Sequence, residues 1–242
     1  MVTTDGHLLG GRVLYRQPAQ GFRSGIEPVL LAASVSVRTG ELVLEAGTGA
    51  GAGLLCLSHR VPGVRAVGVE VNPTMSAIAM SNAQRNGFGG IDIVTGDIAS
   101  APLPRTFDHA IANPPYHPPD GSVSPEASRE LAKRGSQALI DVWIGRMSGL
   151  LRRRGSLTLI VPAWLIPRCL TAMADSHSPC AAIFPLWPRI GRPAKLALLR
   201  GIKDGRGLMR VLPGLVLHQP DGSFTGETQA ILCDAAVLPL DH

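Results

Sequence analysis

Between Leu42 and Val161, short apolar runs alternate with longer amphipathic segments, and this alternation restricts the fold more than any other property of the chain. Leu42 to Ala46, Arg65 to Val69, Ile91 to Thr95, Phe107 to Ala112 and Ser156 to Val161 read as strands. Gly51 to Arg60, Pro73 to Asn86 and a segment near Ser136 to Leu151 read as helices, the second opened by a proline and closed by Gly87. Such alternation predicts an α/β fold, an open and mostly parallel seven-stranded sheet with helices on both faces. A helix near Leu165 to Ala174 and apolar runs at Ala181 to Leu186 and Lys195 to Ile202 complete it. Too few residues separate these last two runs for a helical crossover, so they are expected to form an antiparallel pair. One domain is expected over 1–242: an amino-terminal lid segment (1–40), a core (41–202) and a carboxy-terminal extension (203–242) containing the strand-like run Leu215 to His218.

The first of these strands runs into Glu45-Ala46-Gly47-Thr48-Gly49-Ala50-Gly51, a glycine-rich turn before a helix. Glycines there admit a ligand close to the backbone and are expected to leave amides at the helix start free to bind it. Gly47, Gly49 and Ala52 also satisfy the dinucleotide fingerprint, so the turn alone does not choose a ligand. The next strand ends in Val67-Gly68-Val69-Glu70, followed by Val71, which puts a carboxylate where the hydroxyls of a ribose would lie. The strand after that runs into Gly96-Asp97-Ile98, a second carboxylate placed to accept from an adenine amine. A single acid in such a place is more often a turn former or helix cap. Two of them, at successive strand ends beside a glycine turn, point to one ligand at the switch point of the sheet.

The strand Phe107 to Ala112 ends in Asn113-Pro114-Pro115-Tyr116. Two prolines fix φ and remove two N–H donors, so the backbone carbonyls have no competing local donor. Asn113 adds an acceptor oxygen and Tyr116 a flat face. The set suits a planar NH2 group that donates two hydrogens and stacks. The segment from Tyr116 to Lys133, rich in Pro, Gly, Ser and charge, reads as a mobile loop beside this site.

The formal net charge of +5 mildly favours a polyanionic partner. Arg152-Arg153-Arg154 and the series Arg189, Arg192, Lys195, Arg200, Lys203, Arg206 and Arg210 are candidates for phosphate contact, with solvated strand or helix ends as the equal alternative. Cys56, Cys169, Cys180 and Cys233 lack metal-ligand spacing, so neither a zinc site nor disulfides are expected. Nothing resembles a signal peptide or a run of about 20 apolar residues, so no membrane association and a cytoplasmic location are expected.

As an ordered set over roughly residues 40 to 165, these motifs resemble the class I S-adenosylmethionine-dependent methyltransferases that methylate amines, which have a Rossmann-like fold. The resemblance implies S-adenosylmethionine as methyl donor, with Glu45, Gly47, Thr48, Gly49, Gly51, Glu70, Val71, Asp97, Ile98 and Asn113 around it. It also implies Asn113, Pro114, Pro115 and Tyr116 as the catalytic motif, with no metal. A narrower resemblance, to the bacterial tRNA1(Val) adenine-37 N6-methyltransferases, rests on two further regions. One is Gln17 to Gly25 followed by Val29-Leu30-Leu31-Ala32; the other comprises Lys195 to Leu199 and Leu217 to Thr225. It implies methyl transfer to adenine 37 in a tRNA anticodon loop, with Arg23 and Gly25 beside the cofactor. Arg23, Arg129, Lys133, Arg134 and the carboxy-terminal arginines become candidates for RNA backbone contact. The chain departs from the family's wording at Glu27, where aspartate is expected, at Ala46 and Ala50, and at His117.

Three rivals remain. A protein glutamine methyltransferase uses the same tetrapeptide on a carboxamide, but such enzymes usually carry a sizeable helical substrate domain before the core, and here some 40 residues precede the first strand. A nicotinamide-dependent oxidoreductase explains the glycine turn and leaves Asn113 to Tyr116 without a role. A non-catalytic RNA-binding module would show salt-sensitive tRNA affinity and no transfer.

Overall fold

The computed structural model describes residues 2–20, 24–104, 106–116 and 126–240, with the stretch 126–137 described by its backbone alone. Arg23, His117 and the stretch 118–125 therefore lie outside the described residues, as do the side chains of Arg129, Lys133 and Arg134. The chain begins with a hairpin of β1 (Thr3–Leu8) and β2 (Val13–Pro18), followed by α1 (Glu27–Ala33). The core then alternates β3 (Leu42–Ala46), α2 (Ala52–Arg60), β4 (Arg65–Glu70), α3 (Pro73–Arg85), β5 (Ile91–Thr95) and β6 (Phe107–Ala112). It continues with α4 (Glu126–Leu150), β7 (Leu151–Pro162), α5 (Ile166–Asp175), β8 (Cys180–Trp187) and β9 (Leu196–Ile202). Two short strands, β10 (Arg210–Val211) and β11 (Leu215–Val216), and helix α6 (Gly226–Asp234) close the chain.

The core strands pair in the order β5-β4-β3-β6-β7-β9-β8. They are the seven strands the sequence predicts, and β9 runs antiparallel to both of its neighbours. β10 and β11 add to the outer edge of β8, parallel to it, so the sheet is wider than expected. β11 falls within the strand-like run Leu215 to His218, whereas β10 is not legible as a strand, because it is only two residues long and fully exposed.

Side chains alternate between the two faces as a pleated strand requires. Val43, Ile111, Ile160 and Leu198 join one core with α1, α2 and α6. Their sequence neighbours Leu44, Ala110, Leu159 and Leu199 join the other, with α4 and α5. α4 begins at Glu126, ten residues earlier than expected, so the predicted loop from Tyr116 to Lys133 ends inside a helix. Glu126-Ala-Ser-Arg-Glu-Leu-Ala-Lys is free of Gly and Pro and holds mostly good helix formers. β7 also starts early. Phe107 pairs with Leu151 but His109 with Ser156, so the intervening arginines bulge out of register, with Arg154 at φ 67°.

The hairpin is held by α3. Asn72 caps that helix, accepting from the amides of Thr74 (2.9 Å) and Met75 (3.3 Å), and Pro73 fills its first turn. One helical turn apart, Asn82 and Asn86 present their carboxamides to the free edge of β2. Asn82 accepts from the amide of Arg16 (2.9 Å) and donates to its carbonyl (2.8 Å); Asn86 does the same for Leu14, at 2.8 Å each way. Side-chain amides thus stand in for a neighbouring strand.

Candidate active site

Pairing in the sheet brings the two principal motifs together. β3 and β6 are adjacent and parallel, with Ala46 opposite Ala112, so Gly47 and Asn113 each follow one member of the last paired residues. This is where the strand order reverses, the usual ligand crevice of such sheets. A cleft of about 450 Å³, partly open to solvent, lies there. Glu45, Gly47, Thr48, Gly49 and Asn113 line it from the sheet edge, and Met75 from α3. The amino-terminal segment supplies the opposite wall with Tyr15, Gln17, Ser24 and Pro28.

The glycine turn differs from expectation in one respect. The amides of Gly47 and Thr48 both donate to the Val69 carbonyl (2.9 and 3.1 Å), that of Gly51 to the Thr48 carbonyl, and that of Gly49 to Glu70 Oε2 (2.9 Å). Three of these donors lock the turn to β4 and that of Gly51 closes the turn on itself, so these four are not free for a ligand. The need for glycine is steric: Gly47, Gly49 and Gly51 all sit at positive φ, and a Cβ on Gly47 would lie 2.6 Å from the Trp143 ring on α4. Gly51 is buried against Ala79 rather than lining the cleft.

Glu45 is buried at the root of this turn. Its Oε2 accepts from Thr48 Oγ1 at 2.5 Å, and a Cβ on Gly53 would collide with its carboxylate. Burial pushes the Glu45 carboxyl up to about 7, against the opposing pull of the hydrogen bonds from Thr48 and the Leu54 amide. Glu70, at the end of β4, takes one backbone N–H on each oxygen, from Gly49 and from Asn72 (2.9 Å each). A carboxylate has about four acceptor sites, so capacity for a diol remains. Val71 next to it is exposed. Asp97 is exposed and accepts from the Ala99 amide at 2.9 Å, whereas the Ile98 side chain is buried in the core beneath it.

In the acceptor loop Pro114 is buried, Pro115 exposed, and Asn113 and Tyr116 half-buried. Burial raises the Tyr116 phenol, and the nearby Glu27 carboxylate adds to the shift. Glu27 opens α1, and its carboxylate occupies the space that a Cβ on Gly25 would take. The amino-terminal wall includes Tyr15, which the sequence does not single out, beside Gln17 and Ser24 from the segment Gln17 to Gly25. Tyr15 Oη and Ser24 Oγ lie 2.7 Å apart, and Gln17 Oε1 accepts from the Ser24 amide at 3.2 Å. Alternation in β2, with Val13 and Tyr15 buried and Leu14 exposed, is the signal that marks Tyr15 as inward-facing.

The run Arg152 to Arg154 belongs to the opposite edge. Arg152 pairs with Asp108 and Glu41, and His109 bridges Glu41 Oε2 (3.0 Å) and Ser156 Oγ (2.7 Å). Among the described residues no cluster of three or more His, Cys, Asp or Glu side chains is arranged to hold a metal ion, and no helix is long and apolar enough to cross a membrane.

Comparison with known proteins bears on this geometry. A methyltransferase-domain family model matches residues 43–135. The tRNA1(Val) (adenine(37)-N6)-methyltransferase of Bacteroides thetaiotaomicron is 28% identical over 155 residues, 63% of this chain and 65% of that protein. The chain thus spans a little under two thirds of that relative. The protein of the same name from Actinobacillus pleuropneumoniae serotype 7 is 25% identical over 199 residues, 81% of this chain and 83% of its own. A release factor glutamine methyltransferase from Moorella thermoacetica is 29% identical over 125 residues, 48% of this chain and 44% of that one. The crystal structure of a predicted O-methyltransferase from Agrobacterium tumefaciens superposes with a TM-score of 0.74 at 21% identity, covering 89% of this chain and 99% of that one, which establishes the shared fold. A methyltransferase-domain model thus runs from the first core strand across the acceptor loop, the relatives the chain resembles carry methyltransferase names, and its fold is shared with a methyltransferase structure.

Proposed function

We propose that the protein transfers a methyl group from S-adenosylmethionine to the exocyclic N6 amine of an adenine in RNA, at position 37 of a tRNA anticodon loop. The observation that carries this reading is that Asn113 lines the same cleft as Glu45, Gly47, Thr48 and Gly49. A planar amine held by the acceptor loop would therefore face whatever the glycine turn holds. The residues present fit the donor: Glu70 has acceptor capacity left for a ribose diol, Asp97 is open to an adenine amine, and Gly49 leaves no side chain in the cleft.

S-adenosylmethionine, when bound, supplies an electrophilic methyl on a sulfonium. This chain's task is to present the amine. The adenine NH2 is a weak nucleophile because its lone pair is delocalised into the ring. Accepting its two hydrogens on the Asn113 side chain and the Pro114 carbonyl favours the pyramidal, nucleophilic geometry and stabilises positive charge as it develops. Stacking on Tyr116 fixes the base plane relative to the cleft. The proton of the methylated aminium passes to water, so no dedicated base is needed.

The RNA assignment draws on the relatives named as tRNA1(Val) (adenine(37)-N6)-methyltransferases and on the chain's positive charge. The second reading, methylation of a protein glutamine, is favoured by the relative named as a release factor glutamine methyltransferase, which matches over a smaller share of the chain. Transfer of labelled methyl to an anticodon stem-loop and to a glutamine-containing peptide, followed by identification of the product, separates the two. N6-methyladenosine is the expected product; label found only in the peptide would overturn the RNA assignment.

A further inference from the structure

The carboxyl edge of the sheet continues past the cleft into a surface with its own chemistry. β7 and β8 both run antiparallel to β9, and β6 is parallel to β7, so β6, β7 and β8 all end at one edge. After β6 comes the acceptor loop. After β7 comes the turn Ala163–Leu165, which leaves Trp164 36% exposed. After β8 comes the loop 188–195, where Arg189, Arg192 and Lys195 are exposed and Ile190 is 85% exposed. The Ala163 amide donates to the Lys195 carbonyl at 2.9 Å, which joins the tryptophan turn to the basic loop.

The basic loop is braced from behind. The His218 amide donates to the Pro188 carbonyl at 3.2 Å, and the His218 and Phe224 rings stack with centroids 4.9 Å apart. Among the described residues none of Arg189, Arg192 and Lys195 forms a salt bridge, in contrast to Arg12, Arg16, Arg85, Arg152 and Arg168. Asp221, whose carboxyl is influenced by Arg189, is already engaged by the amide and hydroxyl of Ser223 at 2.9 and 2.7 Å. Three exposed cations therefore follow an exposed indole along one edge. At about 4.8 Å per strand, the end of β8 lies roughly 14 Å along the sheet from the end of β6.

We infer that Trp164 and the loop carrying Arg189, Arg192 and Lys195 form a track for the single-stranded RNA flanking the target base. Trp164 would stack a neighbouring base and the three cations would contact phosphates beyond it. Indole faces accept any unstacked base and cations follow the backbone, a pairing that suits a loop held open by an extruded nucleotide. An acidic peptide would use the cations and leave the tryptophan idle. The inference rests on the RNA assignment made above.

Binding of a fluorescent anticodon stem-loop, measured between 50 and 200 mM salt, tests it. Replacing Arg189, Arg192 and Lys195 together with alanine should weaken binding and reduce the slope of log K against log salt by about 2, at roughly 0.7 per lost single-strand phosphate contact. Trp164→Ala should weaken binding roughly 5- to 150-fold with the slope unchanged, and Trp164→Phe should restore most of the loss. Affinity for S-adenosylhomocysteine, measured by calorimetry, should be unaltered in all three variants, which reports that they are folded. Methylated RNA with unchanged affinity and slope in the triple variant would overturn the track and leave the RNA function standing. A wild-type protein that methylates the glutamine peptide and neither binds nor methylates the stem-loop would remove the RNA assignment, and the track with it.

Discussion

At the amino edge of the sheet, Glu41, Asp108, His109, Arg152 and Ser156 satisfy one another, whereas at the carboxyl edge Glu45 is buried close to its titration point and Glu70 and Asp97 retain acceptor capacity. Both edges belong to the same strands, so backbone geometry is not what separates them. The difference is closure. Ionic groups at the amino edge complete each other's shells and stabilise folding modestly. At the carboxyl edge, Glu70 takes one backbone donor on each oxygen and Asp97 takes one in all, which fixes their positions and leaves lone pairs unused.

The sharpest break of this contrast is Asn113→Ala. If the carboxyl edge works on a substrate, turnover should fall about 100-fold or more, roughly 3 kcal/mol, while S-adenosylhomocysteine affinity is kept. Near-normal turnover in a labelled-methyl assay would remove Asn113 from the mechanism.

Glu45 gives the next largest effect. Its folded-state pKa of about 7 lies above the ordinary 4.5, so the unfolded chain releases this proton first as pH rises. The stability linked to Glu45 is complete below about pH 4.5 and is lost as pH rises through 7, a change of about 3 kcal/mol. Urea midpoints at pH 5 and pH 8 should show this loss in the wild type and not in Glu45→Gln. Parallel pH profiles for the two would mean that Glu45 is ionised in the folded protein.

Asn82→Ala probes the seam that suspends the hairpin over the carboxyl edge. It removes hydrogen bonds to Arg16 and to the Ala50 carbonyl (3.0 Å) from a fully buried position, at a cost of about 2 kcal/mol. Hydrogen exchange should rise in residues 3–18 more than in the core strands; a uniform rise would show that the hairpin and core open together. The smallest effect belongs to the amino edge. Arg152 is half-exposed, so Arg152→Ala should cost no more than about 1 kcal/mol and leave methyl transfer unchanged. A large loss of transfer there would erase the distinction between the edges.

Much of the core was legible because its signals are local. Leu42–Ala46, Ile91–Thr95 and Phe107–Ala112 coincide with the apolar runs, and Pro73 and Gly87 punctuate α3 within a residue. The hairpin was not legible, because β2 is fixed by asparagines some 70 residues later, and nothing within residues 3–18 reports that partner. The engaged amides of Gly47, Thr48 and Gly49 were missed for a similar reason, since their acceptors lie on β4. At the candidate site the sequence indicates which residue types converge, but not that an amino-terminal tyrosine and glutamine face them across the cleft.

The asparagine seam also acts as an indexing rack. Leu14 and Arg16 each engage one carboxamide through both backbone groups, so β2 can seat on α3 only in steps of two residues. A slip of one residue would turn Tyr15 outward and bring a flanking residue into its place. Helix α3, which also carries Met75 into the cleft, thereby sets the phase of the aromatic side chain on the facing wall. Any shift of α3 would move both walls of the cleft in register.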